Sequence, residues 1–216
     1  MSAVEHLVFD LSEVLMNGIM DLPKAIEGAI YDKVPSFRQS SFPFDVHSDF
    51  FTLKENFLRQ LFISQLSETE FFGNLLELRS YPLSVDELKV VTRQNFWQFD
   101  YSKCTLEKLR SKGYDLTLFS DHAREWVEYI ESDFPILNIF DRRIYSFNSF
   151  YTKKEPESFE YLLETTSINP DKTLFIDDFP ENIDNAKKSG IKHTHCFRGY
   201  ERLVRHFREL EIKGYF

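Results

Sequence analysis

Glycine is scarce, at 7 of 216 residues, and the seven stand apart at positions 18, 28, 73, 113, 190, 199 and 214. Neither GxGxxG nor the P-loop spacing occurs, which excludes nucleotide binding by those routes. Cysteine is scarcer still. Cys104 and Cys196 are too few for a disulfide framework or a thiolate zinc site; both read as buried small apolar groups in a reduced chain. Basic residues are in deficit, with 26 Lys and Arg against 35 Asp and Glu and a net charge of −9. That balance argues against nucleic-acid phosphates or an anionic membrane as partners. No apolar run approaches the roughly 18 residues of a membrane span, and no basic-then-apolar leader opens the chain. A cytoplasmic protein, monomeric or homodimeric, is the expectation.

Core material is ample: 42% of the residues are hydrophobic and 16% aromatic, with 28% charged, a balance that suits a folded globular chain. The length fits one domain carrying an insertion, or two small domains. Short apolar runs read as buried strands at His6–Asp10, Leu116–Phe119 and Thr173–Ile176, with weaker ones at Ile144–Phe147 and His193–Phe197. Between them lie helical patterns: Leu106–Lys112, stopped by Gly113; Ala123–Phe134; a helix opened by Pro156; and Glu181–Ser189, stopped by Gly190. Strands alternating with helices predict a parallel sheet covered on both faces.

One connection breaks the pattern. From Asp10 to the helix before Leu116 the chain runs about 90 residues, where a plain crossover needs roughly a dozen. Ser67 with Glu70 and Ser84 with Glu87 are capping-box starts. Leu53, Phe57, Leu58, Leu61 and Phe62 form an amphipathic stripe. These features predict an all-helical insertion over residues 17–100, with an irregular loop at Ser36–Phe51 whose aromatics pack in the core or line a pocket.

Asp10, Ser120, Asp177 and Asp178 stand just beyond predicted strands. Ligands of open parallel sheets bind outside the carboxyl ends of the strands, so these residues should converge at one edge. Three carboxylates there repel one another unless one is protonated or a cation is bound. Mg²⁺ with a substrate phosphate suits such oxygen ligands, and a carboxylate beside it can form an aspartyl-phosphate. Ser120 is placed to bind phosphate oxygens, and Lys153 or Lys154 to neutralise transition-state charge.

FDLSEVL (Phe9–Leu15), LTLFSD (Leu116–Asp121), KKEPESFE (Lys153–Glu160) and LFIDDFPENIDNAKKSG (Leu174–Gly190) occur in one order along the chain. Together they resemble the haloacid dehalogenase superfamily, in the branch with a helical cap inserted after the first strand. The resemblance implies a Rossmann-like three-layer α/β core with a parallel sheet, residues 1–16 and 101–216, plus an all-helical cap, residues 17–100. It implies that Asp10 is the nucleophile and a metal ligand, that the Ser12 carbonyl and Asp178 are further ligands, and that Asp177 ligates through water or holds the lysine. Ser120 would bind phosphate, and Lys153, preferred to Lys154 by its place in the motif, would pair with phosphate and Asp10. Asp121 and His122 follow Ser120 and could touch substrate, though a cap or exposed loop is their more ordinary role.

One position departs from the pattern. Phosphatases of the superfamily have an Asp two residues after the nucleophile as general acid and base; here it is Ser12. Losing a general acid typically costs about 10²–10⁴-fold. Glu13 is next door, but strand alternation turns it away from Asp10. The leading expectation is a Mg²⁺-dependent hydrolase of a small phosphorylated metabolite, slowed by Ser12. The alternative is a catalytically impaired relative that binds a phosphorylated ligand or a protein. A dehalogenase-type or phosphonate-type hydrolase comes third. His193 and His195 alternate on a strand without a third ligand, and Arg198, Arg202, Arg205 and Arg208 mark a solvated helix face.

Overall fold

The strands are β1 (His6–Phe9), β2 (Asp115–Ser120), β3 (Arg142–Tyr145), β4 (Thr173–Asp177) and β5 (His193–Cys196). A computed structural model of the chain describes residues 4–38, 44–52 and 57–215. All five strands join one parallel sheet in the order β3-β2-β1-β4-β5. Phe9 is level with Leu118 on one side and Ile176 on the other. The residues that follow, Asp10, Ser120 and Asp177, therefore emerge at the same edge.

Alternation sorts the strand residues onto two faces. Leu7, Phe9, Leu116, Leu118, Leu174 and Ile176 join Leu106, Trp126 and Phe207 in the larger core. Val8, Phe119 and Phe175 pack on the other side against Phe159, Leu162, Ile183 and Ala186. The covering helices, numbered after the five of the insertion, are α6 (Asp100–Ser111), α7 (Arg124–Asp133), α8 (Ser146–Ser149), α9 (Pro156–Thr166), α10 (Pro180–Lys188) and α11 (Tyr200–Glu209). Central strands buried on both faces need near-continuous apolar runs, which is why β1, β2 and β4 were the legible ones.

The insertion between β1 and β2 carries α1 (Leu22–Lys33), α2 (Val46–Thr52), α3 (Phe57–Phe62), α4 (Glu68–Arg79) and α5 (Val85–Asn95). Both expected capping boxes are formed, at Ser67 with Glu70 and Ser84 with Glu87. A two-stranded neck joins it to the sheet: Asn17 N–H donates to the Trp97 carbonyl at 2.8 Å, Phe99 N–H donates to the Leu15 carbonyl at 3.2 Å, and Met16 bridges Gln98. Further ties reach α7 and the loops beside it. Glu68, only 2% exposed, accepts from the Arg93 guanidinium at 2.5 and 2.8 Å and from Trp126 Nε1 at 2.6 Å. Arg59 grips Glu155 through two bonds of 3.0 and 2.6 Å.

Several expectations need correcting. Ser36–Phe51 is not an irregular loop throughout: it holds a 3₁₀ turn at Pro35–Arg38 and α2. Val46, Asp49 and Phe50 fall on one helical face and are buried, with Asp49 accepting from Tyr81 Oη at 2.5 Å. Residues 39–43 of that segment, and Leu53 of the stripe, lie outside the described residues. The strand expected at Ile144–Phe147 starts two residues earlier and gives way to α8. The helix expected from Leu106 begins at Asp100, whose carboxylate suits the positive end of the helix dipole. Cys104 is exposed rather than buried, since it falls on the outer face of α6, and Cys196 is half-buried. Among the described residues, no helix is long and apolar enough to cross a membrane.

Candidate active site

The sheet edge carries three carboxylates and one ammonium within touching distance. Lys153 Nζ lies 2.7 Å from Asp10 Oδ1 and 2.6 Å from Asp177 Oδ2. Asp10, Asp177 and Asp178 each offer an oxygen within 4.8 Å of the others. Asp177 is fully buried, and its second oxygen accepts from Phe179 N–H at 2.8 Å and Asn182 Nδ2 at 3.0 Å. Lys153 is 2% exposed. Its loop is fixed by Asn185 Nδ2, which donates to the carbonyls of Lys153 and Lys154 at 3.1 and 3.0 Å. The Lys153 N–H donates to the Asp121 carboxylate at 3.0 Å.

Burial dominates the electrostatics. It pushes the Asp10 carboxyl well above the usual carboxylate range; Lys153 pulls it down, while Asp177 and Asp178 push it further up. Asp178 is raised for the same two reasons, burial and the neighbouring Asp177. Burial disfavours the Lys153 ammonium, but Asp10, Asp177 and Asp121 outweigh it and keep the lysine charged. Asp121 is pushed up to about 6 by burial, with Lys153 opposing. One ammonium among these acids leaves the edge short of positive charge.

Ser12 lines the cavity above that cluster. Its Oγ lies 2.9 Å from Nε2 of His122. Gly18 packs so closely that a Cβ there would stand 2.6 Å from Ser12 Cβ, so only glycine fits. His122 is enclosed by Phe62, Phe96 and Trp126. Burial lowers it to about 3, so the ring is neutral at pH 7. This overturns the expectation of an exposed or capping His122. Glu13 is also placed otherwise than expected: it lines the same cavity as Asp10 and accepts from Gly18 N–H at 3.1 Å. The strand ends at Phe9, and Glu13 takes a left-handed φ of 60°, so alternation no longer applies.

A cavity of about 300 Å³ opens over the cluster. Its floor is polar, with Asp10, Asp121, Lys153, Asp178 and Asn182. Its opposite wall comes from the insertion, with Ile19, Met20, His47, Phe51, Leu58 and Phe62. Phe179 completes the mouth, with the Lys154 ammonium 5.6 Å from its ring.

Most residues singled out from the sequence thus meet at one edge. Ser120 is completely buried at the end of β2, and its Oγ has no hydrogen-bond partner. Lys153, not Lys154, joins the acid cluster. His193 and His195 stay apart from it on edge strand β5, half-buried. Arg202, Arg205 and Arg208 are exposed, while Arg198 donates to the Asp178 carbonyl at 2.5 Å and braces that loop. Asn185 was missed, and His122 was named without its partner Ser12. Asn185 could have been found three residues after Asn182 on the same helix face; nothing in the sequence marks the His122 enclosure.

Comparison with known proteins gives a consistent picture. The family model described as haloacid dehalogenase-like hydrolase matches residues 7–195. A D-ribitol-5-phosphate phosphatase of Bacteroides thetaiotaomicron is 24% identical over 195 residues, covering 88% of this chain and 90% of that protein. A haloacid dehalogenase family enzyme of the same organism, solved with magnesium and inorganic phosphate, superposes with a TM-score of 0.71 at 22% identity, covering 93% of this chain and 99% of its own. The L-2-haloacid dehalogenase of Xanthobacter autotrophicus reaches a TM-score of 0.61 at 14% identity, covering 97% and 84%.

Proposed function

The chain belongs to the haloacid dehalogenase-like hydrolase family, and from that premise we propose that it is a Mg²⁺-dependent phosphatase of a small phosphorylated metabolite. The observation that carries this reading is the buried Asp10–Lys153–Asp177 cluster beneath a substrate-sized cavity. Asp10 Oδ attacks phosphorus and forms an aspartyl-phosphate, which water then hydrolyses. Lys153 neutralises the charge that develops on the phosphoryl oxygens, and Ser120, whose buried hydroxyl lacks a partner, hydrogen-bonds one of them. Asp121 holds the Lys153 backbone and faces substrate across the floor.

The donor set fits Mg²⁺: hard oxygens from three clustered carboxylates, with too little positive charge among them. Asp10, Asp178 and the Ser12 carbonyl would hold the ion, with Asp177 ligating through water while its other contacts fix Lys153. When bound, Mg²⁺ supplies the positive charge that keeps Asp10 ionised and binds phosphate oxygens. Residues 17–100 form the cap and residues 1–16 and 101–216 the core. The cap excludes water from the cavity and shapes it for the leaving group. A cytoplasmic enzyme, monomeric or homodimeric, with neither nucleic acid nor membrane as partner, completes the reading.

A second reading has one observation in its favour. Ser12 stands where an acid would, bound to a neutral His122, which suits a protein that binds a phosphorylated ligand without turnover. Hydrolysis of p-nitrophenyl phosphate in Mg²⁺ and in EDTA separates the two, because its leaving group tolerates a missing acid. The phosphatase reading expects activity that is lost in EDTA and falls by about 10⁴-fold or more in Asp10→Asn. An inactive wild type in which Ser12→Asp gains activity supports the binding protein instead. If every variant is inactive, the site assignment fails.

A further inference from the structure

We infer that the preferred substrate is an aryl phosphate, a phosphate monoester of a phenol-like hydroxyl. This rests on the phosphatase reading and specifies its substrate class. Two independent features converge on it. The first is the cavity wall. Opposite the phosphate-binding floor, the described residues of the insertion present Ile19, Met20, Leu58, Phe62 and Phe51, with His47 as the one polar member. The Phe51 ring lies 4.9 Å from that of His47, tilted by 54°, and Met20 and Phe179 remain 48% and 42% exposed at the mouth. A polyol chain would leave its hydroxyls unpaired against that wall, whereas a flat apolar ring fills it.

The second feature is the proton inventory. A departing alkoxide needs a proton as the P–O bond breaks, and a carboxylic acid usually supplies it. The Ser12 hydroxyl has no such acidity and is committed to His122. Glu13 lines the cavity, but its Oε1 is taken up in accepting from Gly18 N–H at 3.1 Å. A phenol, with a pKa of about 10 like tyrosine, leaves as its anion without that help. The sequence balances simply. Asp10 Oδ bonds to phosphorus as the bond from phosphorus to the aryl oxygen breaks. The electron pair leaves on that oxygen, which takes a proton from solvent. Water then attacks phosphorus, releasing phosphate and a proton and restoring the Asp10 carboxylate.

The experiment compares kcat/KM in Mg²⁺ for phenyl phosphate, benzyl phosphate and ribitol 5-phosphate. Benzyl phosphate keeps the ring but has an alkoxide leaving group. The expected order is phenyl, then benzyl, then ribitol, with phenyl at least about 100-fold above ribitol. Phe51→Ala should lower the phenyl-to-ribitol ratio of kcat/KM about tenfold. Phenylphosphonate, which cannot be hydrolysed, should bind Asp10→Asn at least about tenfold more tightly than methylphosphonate by calorimetry. Equal or faster turnover of ribitol 5-phosphate overturns the aryl assignment and leaves the phosphatase standing. Equal binding of the two phosphonates overturns it as well. Hydrolysis of none of the three esters overturns the phosphatase reading and this inference with it.

Discussion

At the sheet edge, each charged group is held from more than one side. Asp177 accepts from Lys153, Phe179 and Asn182, and Lys153 spans Asp10 and Asp177 while Asn185 and Asp121 fix its backbone. The insertion wall opposite, across a cavity of about 300 Å³, is built differently, from apolar side chains with His47 as the one polar member among the described residues. Its polar groups are spent elsewhere, in anchors such as Glu68 with Arg93 and Trp126, and Arg59 with Glu155. The charged cluster thus stands on strand ends, and the wall opposite is a mainly apolar surface.

The comparison breaks most severely at Lys153. Lys153→Met leaves Asp10 and Asp177 buried without their cation and should lower stability by about 3–5 kcal/mol at pH 7. A carboxyl whose folded-state pKa is raised gains stability as pH falls, so the deficit should shrink at pH 5; urea unfolding at both values checks this. On the insertion side, Arg93→Met strips the guanidinium from buried Glu68 and should cost about 2–3 kcal/mol. Faster hydrogen exchange confined to α4 and α5 would show that the anchor serves the insertion, whereas uniform exchange would mean it supports the whole fold.

A subtler contrast lies at His122, where the two regions touch. Its folded-state pKa is near 3, so below about 6.5 the unfolded chain gains a proton that the folded chain refuses. Stability should fall with pH from that point down to the folded value, by about 1.4 kcal/mol per unit at steepest. His122→Phe should reduce that slope in thermal melts taken between pH 7 and pH 5, the remainder belonging to groups such as His195, lowered to about 4 by burial. The smallest effect is expected at Arg59, whose pair with Glu155 is partly solvated. Arg59→Gln should cost about 0.5–1 kcal/mol and lose even that in high salt.

The strand ends were legible because burial on both faces leaves apolar runs that stop at a carboxylate, as at Phe9–Asp10 and Ile176–Asp177. Lys153 was legible by its motif, and its Nζ bridges Asp10 and Asp177. Glu13 was misread because alternation was carried past the end of β1 into a left-handed turn. His122 was misread because three aromatics from distant segments, Phe62, Phe96 and Trp126, close around it, and no local pattern announces such an enclosure. In α2, the buried positions Val46, Asp49 and Phe50 mix a charge into the apolar face, which hid the helix among turn-like residues.

The middle position of β1 also governs how the chain must assemble. His6–Phe9 pairs only with β2 and β4, which end at Ser120 and Asp177. At synthesis rates of about 5–20 residues per second, the apolar triplet Leu7–Phe9 waits roughly 8–34 s for its last neighbour to be made. Closing such long loops is entropically costly and slows folding relative to a locally connected topology. β1 is enclosed on both edges only after both neighbours are made, so a chain truncated before residue 173 leaves the β4-facing edge of a central strand unpaired and open to aggregation.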